Sequence, residues 1–282
     1  MKLAQKLVIG YFRAQLNLTS VISPTWAAKK AFRLFTSPRK RTRYALPDIF
    51  KKATPLQFKH NGHWIKGFRW NEGAGKRLMI LHGYESSCRK FDHHIARSIH
   101  LGYEVLAFDA PAHGDSEGYS VNATQYADMI REAVVQFGAV DTFICHSFGG
   151  IALSLFLEKY PHTEDTRVVF IAPATETTTA INSFFTLLEL HPRIRKALDN
   201  HIFHLSGHYP EHYSIRRALQ HIRARILWIH DEEDQVTPVR DVLPIQEKGF
   251  PNIEFLITKG LGHNRIYRDN EVKRKIFTFI SG

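Results

Sequence analysis

Acidic residues are absent from the first 47 positions of this 282-residue chain, cysteine occurs only twice, and no long apolar run is present. Each scarcity excludes something. Cys88 and Cys145 are too few for a disulfide framework, so free thiols in a reducing, cytoplasmic setting are the expectation. No stretch nears the roughly 18–20 apolar residues that cross a bilayer. The start does not read as a secretory signal either, because its apolar core, Leu7–Gly10, is interrupted by Tyr11, Phe12 and Arg13. No glycine-rich phosphate loop, internal repeat or low-complexity tract appears, and no cofactor is expected. What is present is ordinary for a globular protein, 44% hydrophobic and 23% charged, enough for a sizeable core.

The charge is unevenly placed. Residues 1–60 hold 13 Lys/Arg against a single acid, Asp48, whereas residues 61–282 hold 25 Lys/Arg against 26 Asp/Glu. The net charge of +11 therefore belongs to an N-terminal extension, taken as residues 1–54. Leu3, Ala4, Leu7, Val8, Tyr11, Ala14 and Leu18 fall on one helical stripe. A second segment opens at Pro24 and alternates Trp26, Ala27, Ala31, Phe32, Leu34 and Phe35 with Lys29, Lys30 and Arg33. It ends at Ser37-Pro38, before the basic linker Arg39–Arg43. Such helices can pack on the body, on a cap or on a second subunit of a homo-oligomer, and packing is the expectation. Peripheral membrane contact through residues 1–43 is the other reading. Nucleic acid is not expected, because no recognised binding module accompanies the charge.

From Pro55 the pattern has period two. Leu56–His60 and His63–Trp70 flank Asn61-Gly62, a type I′ hairpin signal. Strands and helices then alternate: a strand at Lys76–Leu81, a helix at Ser86–His100, a strand at Glu104–Phe108 and a helix at Asn122–Phe137. That alternation predicts an α/β fold, a mostly parallel central sheet with helices on both faces. The expected core is 55–172 and 224–282. Between them, residues 173–223 break the pattern with helical pieces at Thr175–Leu190, Ile194–Asn200 and Glu211–Ile222.

The apolar run Val140–Ile144, then Cys145-His146-Ser147-Phe148-Gly149, then an amphipathic stretch reads as strand, tight turn and helix. A serine at such a turn presents its hydroxyl above the sheet, and the strained backbone demands small neighbours. Gly149 meets that demand, and Cys145 is small enough at the other side. A serine hydroxyl becomes a useful nucleophile only when a base takes its proton and an acid orients that base. Downstream, the strand Arg225–His230 ends in the acidic loop Asp231, Glu232, Glu233 and Asp234. The strand Ile253–Thr258 ends in Lys259-Gly260-Leu261-Gly262-His263. Each candidate follows a strand's carboxyl end, where open parallel sheets gather their sites.

With these segments the chain resembles the α/β-hydrolase superfamily, in its serine esterase and lipase-like branch. Leu78–Tyr84 is similar to its strand ending in His-Gly-x, and Phe108–Ser116 to its Asp-x-Pro-Gly-His-Gly-x-Ser loop, with Ala112 for the glycine. Cys145–Gly149 resembles the nucleophile elbow, and His230–Pro238 and Gly262-His263 the acid and histidine loops. The likeness covers residues 55–282. It implies Ser147 as nucleophile, His263 as base and Asp234 as its orienting acid, the spacing to Val236 and Pro238 favouring Asp234 over a solvated Asp231, Glu232 and Glu233. It also implies an oxyanion hole from the backbone N–H groups of Tyr84 and Phe148, with His82 structural. A helical cap at 173–223 is implied too, with Phe184, Phe185 and Leu188 as candidate pocket-lining residues.

The expected activity is cleavage of a carboxylic ester or thioester through an acyl-enzyme. Peptidase and acyltransferase chemistry use the same triad, and a non-catalytic binding module on this fold is the rival of another class. A serine where aspartate would stand argues against the haloalkane dehalogenase and epoxide hydrolase branches. His201, His204, His208 and His212 have spacings that could suit a metal, but Gly207 and Pro210 interrupt the helix, so no metal site is expected. His93-His94 reads as a wet helical face.

Overall fold

The computed structural model describes residues 3–39, 41 and 45–282. Lys2, and Lys40, Thr42 and Arg43 of the basic linker, lie outside the described residues. In chain order the elements are α1 (Leu3–Ile22), α2 (Pro24–Thr36), β1 (Thr54–His60), β2 (His63–Trp70), β3 (Lys76–Leu81), α3 (Asp92–His100), β4 (Tyr103–Phe108), α4 (Ala123–Phe137) and β5 (Thr142–His146). They continue with α5 (Phe148–Leu157), β6 (Arg167–Ile171), α6 (Thr177–Leu188), α7 (Pro192–Ser206), α8 (Ile215–Ala218) and β7 (Arg225–Asp231). The last are α9 (Leu243–Lys248), β8 (Ile253–Thr258), α10 (Gly262–Arg265) and α11 (Asn270–Ser281). Two units emerge, Pro38–Thr175 with Ile215–Gly282, and Met1–Ser37 with Glu176–Ser214.

The larger unit carries an eight-stranded sheet in the order β1-β2-β4-β3-β5-β6-β7-β8. The β1–β2 and β2–β4 pairs are antiparallel and the rest parallel. Asn61 and Gly62 turn the first hairpin with φ of +48° and +80°, both positive as a type I′ turn requires. The central strands β4 and β5 are buried along their whole length, and their apolar stretches Val105–Phe108 and Phe143–Cys145 suit burial on both faces. Leu78, Ile80, Val105, Ile144, Val169 and Leu227 from the sheet pack with Ile95 of α3 and Ile276 and Ile280 of α11. Each such side chain contributes roughly 1.5–3 kcal/mol on full burial. Strand order reverses between β3 and β5, since β4 lies to one side of β3 and β5 to the other. In an open α/β sheet, that switch point at the strands' carboxyl ends is where a crevice forms.

The smaller unit is all helix. Ser23 caps α2 by accepting from the Trp26 N–H at 3.2 Å, with Pro24 in the first turn. Gly207 ends α7 in the left-handed conformation, so the histidine series is split where Gly207 and Pro210 predict. Ile9, Leu16, Ala27 and Ala31 of α1 and α2 form one apolar cluster with Phe184, Leu188, Leu190 and Ile194. Polar contacts register it. Asn17 donates from its amide to the Glu189 carbonyl at 3.1 Å and accepts from the His191 N–H at 2.9 Å. Arg13 pairs with Glu189 at 2.6 Å.

The structure revises several expectations. The N-terminal extension ends nearer Ser37 than residue 54, because Phe50 packs with Phe68 and Trp70 in the α/β core. The inserted segment is Glu176–Ser214, narrower than 173–223. Its expected last helix breaks into a 3-10 turn at Pro210–His212, then α8, then a 3-10 turn at Leu219–His221. Arg217 of α8 pairs with Glu158 at the end of α5. The helix expected from Ser86 starts as a 3-10 turn at Cys88 and becomes α-helical at Asp92. His93 is exposed, but His94 is buried beside Phe91, Tyr267 and Phe277, not part of a wet face. Burial lowers its pKa to about 3.

Candidate active site

Ser147 sits between β5 and α5 with φ of +53° and ψ of −118°, a conformation that non-glycine residues seldom adopt. The turn is tight because α5 starts directly over the sheet. A Cβ on Gly149 would lie 2.7 Å from the Leu81 carbonyl oxygen. Cys145 is fully buried, and its thiol donates to the Val169 carbonyl at 3.3 Å. Burial holds that thiol's pKa well above its ordinary value, so it is a space-filling group and not a second nucleophile. Both cysteines are free.

The three sequence candidates meet. His263 Nε2 lies 3.0 Å from Ser147 Oγ, and His263 Nδ1 lies 2.8 Å from Asp234 Oδ2. The other Asp234 oxygen accepts the N–H groups of Val236 at 2.8 Å and Thr237 at 2.9 Å, and the Thr237 hydroxyl donates to Oδ2 at 2.9 Å. Burial alone would raise the Asp234 pKa. The hydrogen bond and charge of His263, with those backbone N–H groups, outweigh it and hold the carboxyl below its usual range. An ionised Asp234 requires a proton on His263 Nδ1, which leaves Nε2 free to accept from the serine hydroxyl.

Neighbouring histidines hold these loops, a role that no spacing in the chain marks. His230 donates from Nε2 to the Thr237 carbonyl at 2.6 Å, tying the acid loop to the end of β7. His146 donates from Nε2 to the His263 carbonyl at 3.0 Å, its ring 4.7 Å from that of His263 and 5.0 Å from that of Tyr267. Burial drops the His146 pKa to about 3, so it is a neutral clamp. Thr237 likewise carries no sequence signal beyond its place between Val236 and Pro238.

Asp231 is not the solvated carboxylate expected from the acidic loop. It is fully buried, accepting from the Glu233 N–H at 3.0 Å, the Thr258 hydroxyl at 2.8 Å and the Leu261 N–H at 3.0 Å. It staples the acid loop to the loop that carries His263. Glu232 and Glu233 are exposed.

The turn after β3 supplies the other side of the site. His82 Nε2 accepts from the Ala110 N–H at 2.9 Å, so its proton is on Nδ1, which donates to the Gly83 carbonyl at 2.7 Å. Burial lowers the His82 pKa to about 4 and keeps that tautomer neutral. Because the peptide is trans and planar, anchoring the Gly83 carbonyl also fixes the direction of the Tyr84 N–H. A Cβ on Gly83 would stand 3.0 Å from Ser147 Cβ, so this peptide backs directly onto the serine. Tyr84 and Phe148 meet edge to face at 5.7 Å between ring centroids. Phe184 and Leu188, offered as pocket residues, are buried in the helical unit's own cluster, and Phe185 packs against it. That packing accounts for their apolar character.

Comparison with known proteins gives the same fold. An esterase from Pyrococcus furiosus superposes with a TM-score of 0.63 at 20% identity, over 87% of this chain and 97% of that one. The chain has the α/β-hydrolase fold. An esterase from Exiguobacterium antarcticum superposes with a TM-score of 0.57 at 17% identity, over 81% of this chain and 100% of that one. The serine aminopeptidase S33 family model matches residues 74–212, from β3 into the helical insertion. A Mycobacterium phage D29 protein described as a non-heme haloperoxidase is 29% identical over 106 residues, 36% of this chain. The match spans only 38% of that protein's length.

Proposed function

We propose that this α/β hydrolase is a serine hydrolase that cleaves a carboxylic ester or thioester through an acyl-enzyme. One observation carries the reading: the continuous chain Ser147 Oγ, His263, Asp234 at 3.0 and 2.8 Å. As Ser147 Oγ attacks the acyl carbonyl, His263 Nε2 takes its proton, and Asp234 stabilises the imidazolium without itself taking one. The N–H groups of Tyr84 and Phe148 receive the oxyanion. Collapse of the tetrahedral intermediate breaks the bond to the alcohol or thiol, which leaves with the proton from His263. Water then repeats the sequence on the acyl-serine, and Ser147 regains its proton.

The esterase neighbours support ester cleavage in particular, since that is what their names record. The test is kinetic. Purified protein is assayed against p-nitrophenyl esters and acyl thioesters of graded chain length, beside Ser147→Ala. The variant is expected to fold normally and to lose at least about 10³ in kcat, because triad members act as a unit. Undiminished turnover in the folded variant would remove Ser147 from the mechanism. Absence of turnover on every ester and thioester, in a wild type that still reacts with an active-site serine probe, would leave the nucleophile and reject the substrate class.

A further inference from the structure

Helix α1 is apolar on two faces, and only one is covered. The covered face carries Ile9, Phe12, Leu16, Thr19 and Ser20, with Ile9 and Leu16 in the helical unit's core. The stripe that the sequence marks for burial is the other one. Leu3 is 74% exposed, Leu7 66%, Tyr11 61%, Leu18 70% and Val21 69%, and Ile22 at the helix end reaches 85%. At 1.5 Å per residue this stripe runs about 30 Å along the molecule. Isolated exposed leucines need no explanation, but a contiguous apolar strip marks an interaction surface.

We propose that this outward stripe of α1, with Trp26 at the start of α2, docks the protein on an anionic lipid surface. The charge around it selects that occupant. No acid precedes Asp48 in the chain, and Lys6, Lys29 and Arg33 are exposed. Lys30 lies over the half-exposed Trp26 ring, 4.1 Å from its centroid. A second copy seated on the same stripe would bring cationic helix against cationic helix, which disfavours an isologous dimer here. A lipid surface instead offers phosphate charge for the lysines and an acyl boundary for the leucines, with Trp and Tyr at the level between. The helix would lie in that plane, since no helix among the described residues is long and apolar enough to cross a membrane. This inference does not depend on the reaction at Ser147.

The test is co-sedimentation of the full chain with phosphatidylcholine vesicles, with and without phosphatidylglycerol, alongside light scattering for oligomeric state. Binding is expected with phosphatidylglycerol and little without it, weakening about tenfold between 0.05 and 0.5 M NaCl as screening grows. Leu7→Glu with Leu18→Glu is expected to lower partitioning at least about tenfold without lowering thermal stability, because both side chains are in solvent. Lys6→Glu with Lys29→Glu removes the electrostatic part and serves as a second variant, with a similar loss expected. The proposal is overturned if the wild type ignores phosphatidylglycerol vesicles, or if Leu7→Glu with Leu18→Glu binds as well as wild type. It is also overturned if the wild type is a dimer that this variant dissociates while vesicles stay unbound.

Discussion

Around Ser147, three loops are tied together by buried polar groups whose hydrogen bonds run from one loop to the next. Asp231, Asp234, His82, His146 and His230 are each nine-tenths or more buried, and each has a named partner. In the helical unit the balance is reversed. There, apolar side chains outnumber the places to bury them, and α1 leaves one of its two apolar faces in solvent. The α/β region is built to hold a few atoms at fixed distances, which requires directional bonds. The helical region is held by non-directional burial on one side and presents a surface on the other. A motif identifies the first kind of region well, because the geometry is local to each loop. It identifies the second poorly, because periodicity shows that a helix is amphipathic and not which face finds a neighbour.

The largest expected effect separates two buried aspartates in one loop. Asp234→Asn misorients His263 and is expected to lower kcat by about 10³–10⁴, whereas Asp231→Asn keeps most of the catalytic rate. Its cost is in stability, about 1–3 kcal/mol, because an amide cannot accept all three of the bonds that Asp231 accepts. Steady-state kinetics with urea unfolding of both variants checks this. If Asp231→Asn proved the more damaging to kcat, the roles of the two carboxylates would be exchanged.

Two leucines on opposite faces of α1 sharpen the comparison next. Leu16 is 1% exposed and Leu18 70%. Leu16→Ala is expected to destabilise the protein by about 2–5 kcal/mol, and Leu18→Ala to change stability by less than about 0.5 kcal/mol. Equal effects in urea denaturation would mean that α1 buries neither face in the way described.

The smallest effect is in pH dependence. His94 has a folded pKa of about 3 against 6.5 when free, because burial disfavours the imidazolium. Below pH 6.5 the unfolded chain therefore binds a proton that the folded one refuses. The resulting stability is fully present above pH 6.5 and falls as pH drops toward 3, by about 1.4 kcal/mol per pH unit. His94 Nε2 has no hydrogen-bond partner, so His94→Leu removes the titration without breaking a bond at that atom. Its plot of stability against pH should be shallower by that amount between about pH 6 and 4. An unchanged slope would show that His94 is not buried as a neutral ring.

Much of this molecule is legible in the chain. The hairpin at Asn61-Gly62, the alternation of strands and helices, and the order of Ser147, Asp234 and His263 are local patterns, and the structure has all of them. The misreadings share one cause. Asp231 looks like its neighbours Glu232 and Glu233, and only the approach of Thr258 and Leu261 makes it a buried staple. His94 looks like His93 until Tyr267 and Phe277 close over it. The covered stripe of α1 is defined by α2 together with α6 and α7, the last two more than 150 residues further along. Contacts that distant leave no periodic trace in the segment they select.

Whether His263 and Asp234 activate Ser147 is decided by intact-mass spectrometry after fluorophosphonate treatment. One adduct per chain is expected, located on Ser147 by peptide mapping, absent in Ser147→Ala and strongly slowed in His263→Ala. An adduct on another residue, or labelling of His263→Ala at the wild-type rate, would contradict that activation.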